Sequence, residues 1–291
     1  MTCFDLSIMT TTGYPFRFFS LADEPKNVEL RLLFFQFPEG AKGDEGCQSS
    51  VFELYAGLVS ALYEFARLLE RPIDYLQFKS LEHPLTDTAA VAPMSPMAFE
   101  VATLFTTRCD VYNLRSNVKA KTRLIYEKYV EKLVPLGPDS VLTLEEETRV
   151  REIMINQDAK RVVEVRSKEL DQVVTGFLGD MQNYGLFGAV LAAFDMTPLR
   201  SWGLSVDQAE EVLRNLREVP DVEAFSWKYR QSWYGSGGQV TKVWVFIVNS
   251  GVGVTVEGQF QEYYYLLISH PGSFLGEIPA KFYEVVNEVL Y

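Results

Sequence analysis

The strongest pattern of hydrophobic and polar positions lies at residues 49–70, SSVFELYAGLVSALYEFARLLE, and it has the period of a helix. At about 100° per residue, its large apolar side chains fill one half of a helical cylinder. Ser50 and Glu53 have the spacing of a capping box, which marks the start of a helix. A stripe this broad predicts a helix that lies flat on a β-sheet, because a coiled coil needs only a narrow seam.

The rest of the first half of the chain is predicted to form strands and one further helix. Strands are predicted at residues 4–10, 16–21, 28–37, 73–79 and 99–107, and Gly13 with Pro15 turns the first two into a hairpin. A helix is predicted at 114–134, with several lysines opposite an apolar side formed by Val118, Ile125, Tyr129 and Leu133. Pro135 and Pro138 end it, so we place a first domain at residues 1–135.

The second half, residues 136–291, repeats this order after a helical extension at about 141–181, which reads as one broken helix or two. Thr143 with Glu146 and Ser205 with Gln208 have capping spacing, and the latter pair starts a helix at 205–217. Strands are predicted at 187–194, 222–229, 241–249 and 262–269, with 252–260 as a candidate addition, while 195–202 carries a turn and the return strand and 278–290 forms a final helix. The predicted fold class is α+β, with two α/β/α-type domains that each contain a mostly antiparallel five-stranded sheet with helices packed on it.

Composition narrows the function classes. A formal net charge of −12 argues against general binding of nucleic acids or anionic membranes, and 47% hydrophobic with 23% charged residues is a globular composition. No run reaches the roughly 18 apolar residues of a membrane span, and the N-terminus lacks the order of a secretory signal, so we expect a cytoplasmic protein. Cys3, Cys47 and Cys109 are distant in sequence and odd in number, which favours buried thiols over a disulfide framework.

Catalytic motifs are weak along the whole chain. The glycines of 235–242 and 249–258 lack the order of a phosphate-binding loop and are typical of turns. Only His83 and His270 occur, without companions at metal-ligand or triad spacing. We therefore nominate no catalytic residue, metal or cofactor. Among the many aromatic residues of the second half, Trp233 and Tyr234 precede a glycine-rich turn and are the ones expected to be exposed and to contact a protein partner.

The order of elements resembles two related folds. GYPF at 13–16, followed by FELYAGLVSALYEFARLLE and IDYLQFK, resembles a longin domain. VVTGFLGDMQNYGLFGAVLAAFDMTPLRSW at 173–202, with Asp195 at a turn, and the closing FLGEIPAKFYEVVNEVL resemble a roadblock domain. The chain departs from these patterns in the added run VELRLLFFQF, in Met196 where a glycine is common, and in the short helix at 205–217.

The resemblance implies that the chain binds other proteins rather than catalysing a reaction. Small GTPases or other longin and roadblock proteins are the implied partners, and the chain could also form a homodimer. It places the contacts on the small residues Ala56, Gly57, Ser60 and Ala61, on the helix at 205–217, and on edge strands at 73–79 and 222–229. Gly57 and Ala61 could equally lie at a solvated helix rim. The alternative function is a small-molecule sensor of the PAS or profilin-like kind, with a ligand between sheet and helix.

Overall fold

The computed structural model describes residues 3–10, 15–23, 25, 28–37, 103–133, 141–216, 219–236, 239–273 and 276–291. The helix predicted at 49–70 and the strand at 73–79 lie outside these ranges. The boundary predicted between residues 135 and 136 also lies outside them, so the division into two domains stays a prediction. The mixed α+β class is confirmed by the described residues, which form two antiparallel sheets and six α-helices.

The first sheet has four described strands: β1 (Asp5–Thr10), β2 (Pro15–Ser20), β3 (Leu30–Phe37) and β4 (Thr103–Asp110). They run antiparallel in the order β2-β1-β4-β3. Because side chains alternate along a strand, one face collects the large apolar residues. That face is buried and includes Leu6, Ile8, Phe35, Phe37 and Phe105.

Two helices complete the core on that face. Helix α1 (Arg115–Ile125) continues into a π-helical turn (Tyr126–Val130), and α2 (Leu144–Met154) follows. The predicted capping box starts α2, since the Thr143 hydroxyl accepts from the Glu146 amide at 3.2 Å and the Glu146 carboxylate accepts from the Thr143 amide at 2.8 Å. Buried side chains of both helices join the sheet, among them Val118, Ile125, Val150 and Ile153.

The second sheet has five strands: β5 (Leu186–Ala192), β6 (Pro198–Trp202), β7 (Trp227–Ser236), β8 (Gln239–Val256) and β9 (Gln259–Ser269). They run antiparallel in the order β6-β5-β9-β8-β7. The pairing of β8 with β9 shifts between Asn249 and Gly253, where Gly251 has φ +68°. This bulge lets an 18-residue strand bend along its length.

Helices cover both faces of the second sheet. Helix α3 (Gln157–Val165), α4 (Ser167–Met181) and α6 (Ile278–Leu290) lie on one face, and α5 (Val206–Leu216) lies on the other. The alternation along β9 follows these layers, since Tyr264 and Leu266 face α5 whereas Tyr265 and Leu267 face α6. The helix predicted at 278–290 matches α6 at both ends.

The predicted elements need correction at 222–229 and at 141–181. The strand expected at 222–229 begins at Trp227, because Phe225 has φ +57° and residues 224–225 form a turn. The extension at 141–181 contains three helices, interrupted at Asn156, which has φ +59°, and at Arg166. Such breaks depend on single residues that adopt a left-handed or bridging conformation, which periodicity does not report.

Candidate functional site: the open edge of the second sheet

Strand β7 ends the second sheet, and among the described residues no strand pairs with its outer edge. Its inner edge pairs with β8 over ten residues, from Trp227 with Val248 to Ser236 with Gln239. An uncovered strand edge presents backbone N–H and C=O groups in a row, which is the template for adding another strand.

The odd-numbered residues of β7 direct their backbone groups outward. The Asn249 amide donates to the Ser226 carbonyl at 3.0 Å, so Ser226 faces β8. The Trp233 carbonyl accepts from the Asn215 side chain of α5 at 3.2 Å, so Trp233 faces away from β8. Antiparallel pairs alternate between these two arrangements along a strand. Tyr229 and Gln231 consequently present their N–H and C=O groups at the outer edge.

Exposed rings lie beside this edge on one face of the sheet. Tyr229 and Trp233 come from β7, and their cross-strand partners Phe246 and Lys242 come from β8. Tyr229 is 57% exposed and Trp233 is 43% exposed, so two large rings on this face reach solvent. We call Tyr229, Trp233, Trp244 and Phe246 the aromatic platform.

Ring contacts hold the aromatic platform in place. The Tyr229 ring meets Trp244 edge-on with centroids 5.4 Å apart and lies 5.7 Å from Phe246. The Trp244 indole N–H donates to the Pro271 carbonyl at 3.0 Å, and the Lys242 ammonium lies 5.3 Å from the Trp233 ring centroid. Rigid aromatic residues lose little conformational entropy on binding, so a fixed platform of this kind suits a protein partner.

The opposite face of the edge is closed by α5. The Ser232 hydroxyl donates to the Val212 carbonyl at 2.7 Å, and Ala209, Val212 and Leu213 are buried against the sheet. The outer side of α5 carries exposed Asp207, Glu211 and Asn215. The Glu211 carboxylate lies next to the end of β7, because a Cβ added at Gly235 would be 3.0 Å from its Oε1 atom.

The sequence-predicted contact residues fall into two groups. Ala56, Gly57, Ser60 and Ala61 lie outside the described residues. Trp233 belongs to the aromatic platform, whereas Tyr234 lies on the other face of β7, half-buried, with its ring 5.5 Å from Phe187. Sequence reasoning assigned most other aromatic residues to the core and so missed Tyr229. The spacing of Tyr229, Gln231 and Trp233, with a polar residue in the middle, was the signal for an exposed strand face.

Apart from this open edge, a cluster of polar side chains is fully buried between the two sheets. Lys121 of α1 and Asp195 of the β5–β6 turn have no exposed side-chain surface, and Lys121 Nζ lies 2.7 Å from Asp195 Oδ2. The same ammonium donates to the Met154 carbonyl at 2.8 Å and to Asn156 Oδ1 at 3.0 Å. An ammonium has three donors, and all three are used here. The lysines of the helix predicted at 114–134 were expected on its polar side, which is wrong for Lys121.

Asp195 is equally satisfied. Its carboxylate accepts from the Thr197 amide at 3.1 Å and from the Asn156 side chain at 3.0 Å and 3.2 Å. Burial opposes the charged form, but the Lys121 charge and these hydrogen bonds outweigh it and lower the pKa of Asp195 below its ordinary value. With every donor and acceptor engaged inside the cluster, its role is to fasten the two sheets together rather than to bind a ligand.

A related contact supports the same junction. Asp110, at the end of β4, is fully buried and accepts from Arg214 of α5, with the Arg214 Nη2 to Asp110 Oδ2 distance at 2.9 Å. Burial raises the pKa of Asp110 and the Arg214 guanidinium partly offsets this. The sheet that carries the open edge is therefore anchored to the first sheet by two buried carboxylates.

Over the described ranges, no three His, Cys, Asp or Glu side chains gather closely enough to hold a metal ion. None of the helices described combines the length and apolar character that crossing a membrane demands.

Comparison with known proteins adds no assignment. No protein-family model matches the chain, and no curated protein matches it.

Proposed function

We propose that this chain is a non-enzymatic scaffold or regulator that binds protein partners through the outer edge of β7 and the aromatic platform. The observation that supports the proposal most directly is that the outward backbone groups of Tyr229 and Gln231 lie beside the exposed rings of Tyr229 and Trp233. An added strand would gain main-chain hydrogen bonds from the edge and side-chain contacts from the platform. The donors and acceptors of the Lys121–Asp195 cluster are all engaged in hydrogen bonds with one another or with the backbone, so this cluster presents no group to a partner or ligand.

The partner that fits this edge is a second copy of the chain. Two β7 strands related by a twofold axis at Gln231 would pair antiparallel, because a twofold contact brings the same surface of each copy together. Tyr229 of one copy then lies opposite Trp233 of the other, on the face of the aromatic platform. Glu211, next to Gly235, approaches the exposed Lys228 of the other copy, so opposite charges meet. The arrangement continues the sheet across ten strands.

The client of this assembly is proposed from the resemblance to longin and roadblock domains, which implies a small GTPase. Titration of the full chain with small GTPases, each loaded with GDP or with a non-hydrolysable GTP analogue, tests that part. Saturable binding to at least one nucleotide state is expected. Failure to bind any of them would remove the GTPase from the proposal and leave the edge-mediated pairing to be judged by its own experiment.

The pairing is tested by mass in solution. Gln231→Pro removes an outward N–H that makes no bond to β8, and proline is tolerated at such edge positions. Gln231→Thr keeps the N–H and is the matched control. Light scattering should show a dimer for the wild-type chain and for Gln231→Thr, and a dissociation constant raised roughly tenfold or more for Gln231→Pro. A wild-type monomer at high concentration, or a Gln231→Pro dimer of unchanged affinity, would refute the proposal.

The alternative of a small-molecule sensor stays a sequence-based prediction. The cavity that would favour it is expected beneath the helix predicted at 49–70, outside the described residues. We therefore propose no second function.

A further inference from the structure

The two thiols of Cys3 and Cys109 lie side by side in the first sheet. Their sulfur atoms are 2.8 Å apart, although the residues are separated by 106 positions in the sequence. Both are free cysteines, with 3% and 0% of their surfaces exposed. Sequence spacing argued against a paired framework, and the fold brings these two together because the start of the chain pairs with the end of β4.

The backbone also fits a covalent link. Cys3 and Cys109 form an isolated antiparallel bridge, and the adjacent Phe4 amide donates to the Arg108 carbonyl at 2.9 Å. Since hydrogen-bonded and non-hydrogen-bonded pairs alternate, the cysteines occupy a non-hydrogen-bonded pair, with Cα atoms about 4.5 Å apart. A disulfide spans Cα separations of about 4.4–6.8 Å. The sulfurs therefore need only a small side-chain rotation to reach bonding distance.

Shared metal binding fits this geometry less well. Two thiolates on one zinc ion, each at about 2.3 Å from it, stand well over 3 Å apart. The sulfurs here are closer than that, and the remaining ligands of a zinc site would have to come from other side chains. Within the described ranges, no third His, Cys, Asp or Glu gathers with them at ligand distance. The pair is thus placed for a sulfur–sulfur bond.

We propose that Cys3 and Cys109 form a reversible disulfide, with a small disulfide such as glutathione disulfide as the oxidant. The Cys3 thiolate attacks one glutathione sulfur and releases the first glutathione as a thiolate. The Cys109 thiolate then attacks the Cys3 sulfur of the mixed disulfide and releases the second. Two protein thiols lose two electrons in total, glutathione disulfide gains them, and the two protein protons pass to the departing glutathione thiolates.

The order of attack follows from the position of the two residues. Cys3 precedes β1 and pairs with β4 through an isolated bridge, so separating residues 3–5 from β4 exposes it once the Phe4 and Asp5 bonds to Arg108 open, whereas Cys109 lies in the interior strand β4. Burial raises the pKa of the Cys109 thiol, which suits the resolving rather than the attacking role. The reaction should accordingly be slow at neutral pH and faster at pH 8.5.

The bond would close a loop of more than one hundred residues between the start of the chain and β4. Linking such distant positions lowers the entropy of the unfolded chain, so the oxidised protein should melt at a temperature higher by roughly 5–15 °C. Addition of a dithiol reductant should return the melting temperature to its starting value.

The test uses the full chain in glutathione redox buffers, followed by acid quenching, alkylation, trypsin digestion and mass spectrometry. Trypsin places the three cysteines in separate peptides, at residues 1–17, 43–67 and 109–115, so each pairing is distinguishable. We expect a linked pair of the first and third peptides, 2 Da lighter than their sum. Cys47→Ser should retain this link, and Cys3→Ser and Cys109→Ser should each abolish it together with the increase in melting temperature.

Two results would overturn the proposal. One is a chain in which Cys3 and Cys109 both remain alkylated after prolonged exposure to glutathione disulfide at pH 8.5. The other is a disulfide that joins Cys47 to either residue in preference to the Cys3–Cys109 pair. Should Cys109→Ser fail to fold, Cys3→Ser and the peptide map of the wild-type chain decide the question.

Discussion

Replacing Lys121 with methionine removes the positive charge that Asp195 faces inside the protein. Methionine keeps most of the length of the lysine side chain, so the change acts on charge and hydrogen bonding more than on packing. Three acceptors lose the hydrogen bond that Lys121 donates, namely Asp195, Asn156 and the Met154 carbonyl. Asp195 has no exposed side-chain surface through which water could replace the ammonium.

The loss of stability can be worked from the protonation of Asp195. A buried carboxylate without its cation takes up a proton, and in the unfolded chain an aspartate has a pKa of about 3.9. Holding that proton at pH 7 costs about 4 kcal/mol, from roughly 3.1 pH units at 1.36 kcal/mol each. This agrees with the 3–5 kcal/mol typical of breaking a buried ion pair.

The pH dependence separates this cause from simple damage to packing. In the wild-type chain the pKa of Asp195 is lowered, so its carboxylate contributes stability above about pH 4 that is lost as the pH falls through the folded-state pKa. In Lys121→Met the pKa is raised instead, so the unfolded state binds fewer protons and the penalty grows with pH. The destabilisation should shrink from about 4 kcal/mol at pH 7 to about 1.5 kcal/mol at pH 5.

Urea denaturation at pH 5, 6 and 7 measures these values. Lys128→Met, an exposed lysine of the π-helical turn, is the matched control and should change stability by less than about 0.5 kcal/mol. In the double variant Lys121→Met with Asp195→Asn, the loss of stability relative to the wild-type chain should no longer grow from pH 5 to pH 7, since the buried cluster then contains no carboxyl group that titrates. A Lys121→Met loss below about 1 kcal/mol, or one that is equal at all three pH values, would refute the reasoning.

Three further substitutions probe local structure through melting temperature and urea midpoint. Gly203→Ala should destabilise by about 2 kcal/mol or more, because Gly203 has φ +75° and the new Cβ would lie 2.0 Å from the Phe187 carbonyl oxygen; an unchanged midpoint would contradict it. Gly176→Ala, with open space around it on α4, should stabilise by about 0.5–1 kcal/mol, and a loss would show an unrecognised contact. Thr143→Ala removes the α2 cap and should cost about 1 kcal/mol, whereas Thr143→Ser should cost much less.

Features determined by neighbouring residues were predictable from the sequence. The capping pairs Thr143–Glu146 and Ser205–Gln208 and the helix Ile278–Leu290 depend on contacts within a few positions, and the structure shows each of them. The start of β7 was predicted five residues early, because the positive φ of Phe225 is not visible in a hydrophobic pattern.

Features determined by the pairing of distant segments were not predictable. Lys121 reads as an exposed helix lysine until Asn156 and Asp195 are placed around it. Cys3 and Cys109 read as unrelated until the register of the first sheet is known. For the candidate site, the residues singled out Trp233, but the edge strand at 222–229 was expected only from the resemblance to known domains, since strand order follows from long-range pairing.

The length of β8 has a consequence for how the protein comes apart. Near its start, Val243 and Val245 pack in the core beneath α5, while near its end Val256 packs in the core of the first sheet with Phe105 and Val150. One continuous strand thus supplies side chains to both interiors. Unfolding of either core therefore removes packing contacts of β8 from the other core, and we expect the two sheets to melt cooperatively. Because β8 is hydrogen-bonded to β7, a structural change in the first sheet also reaches the outer edge of β7.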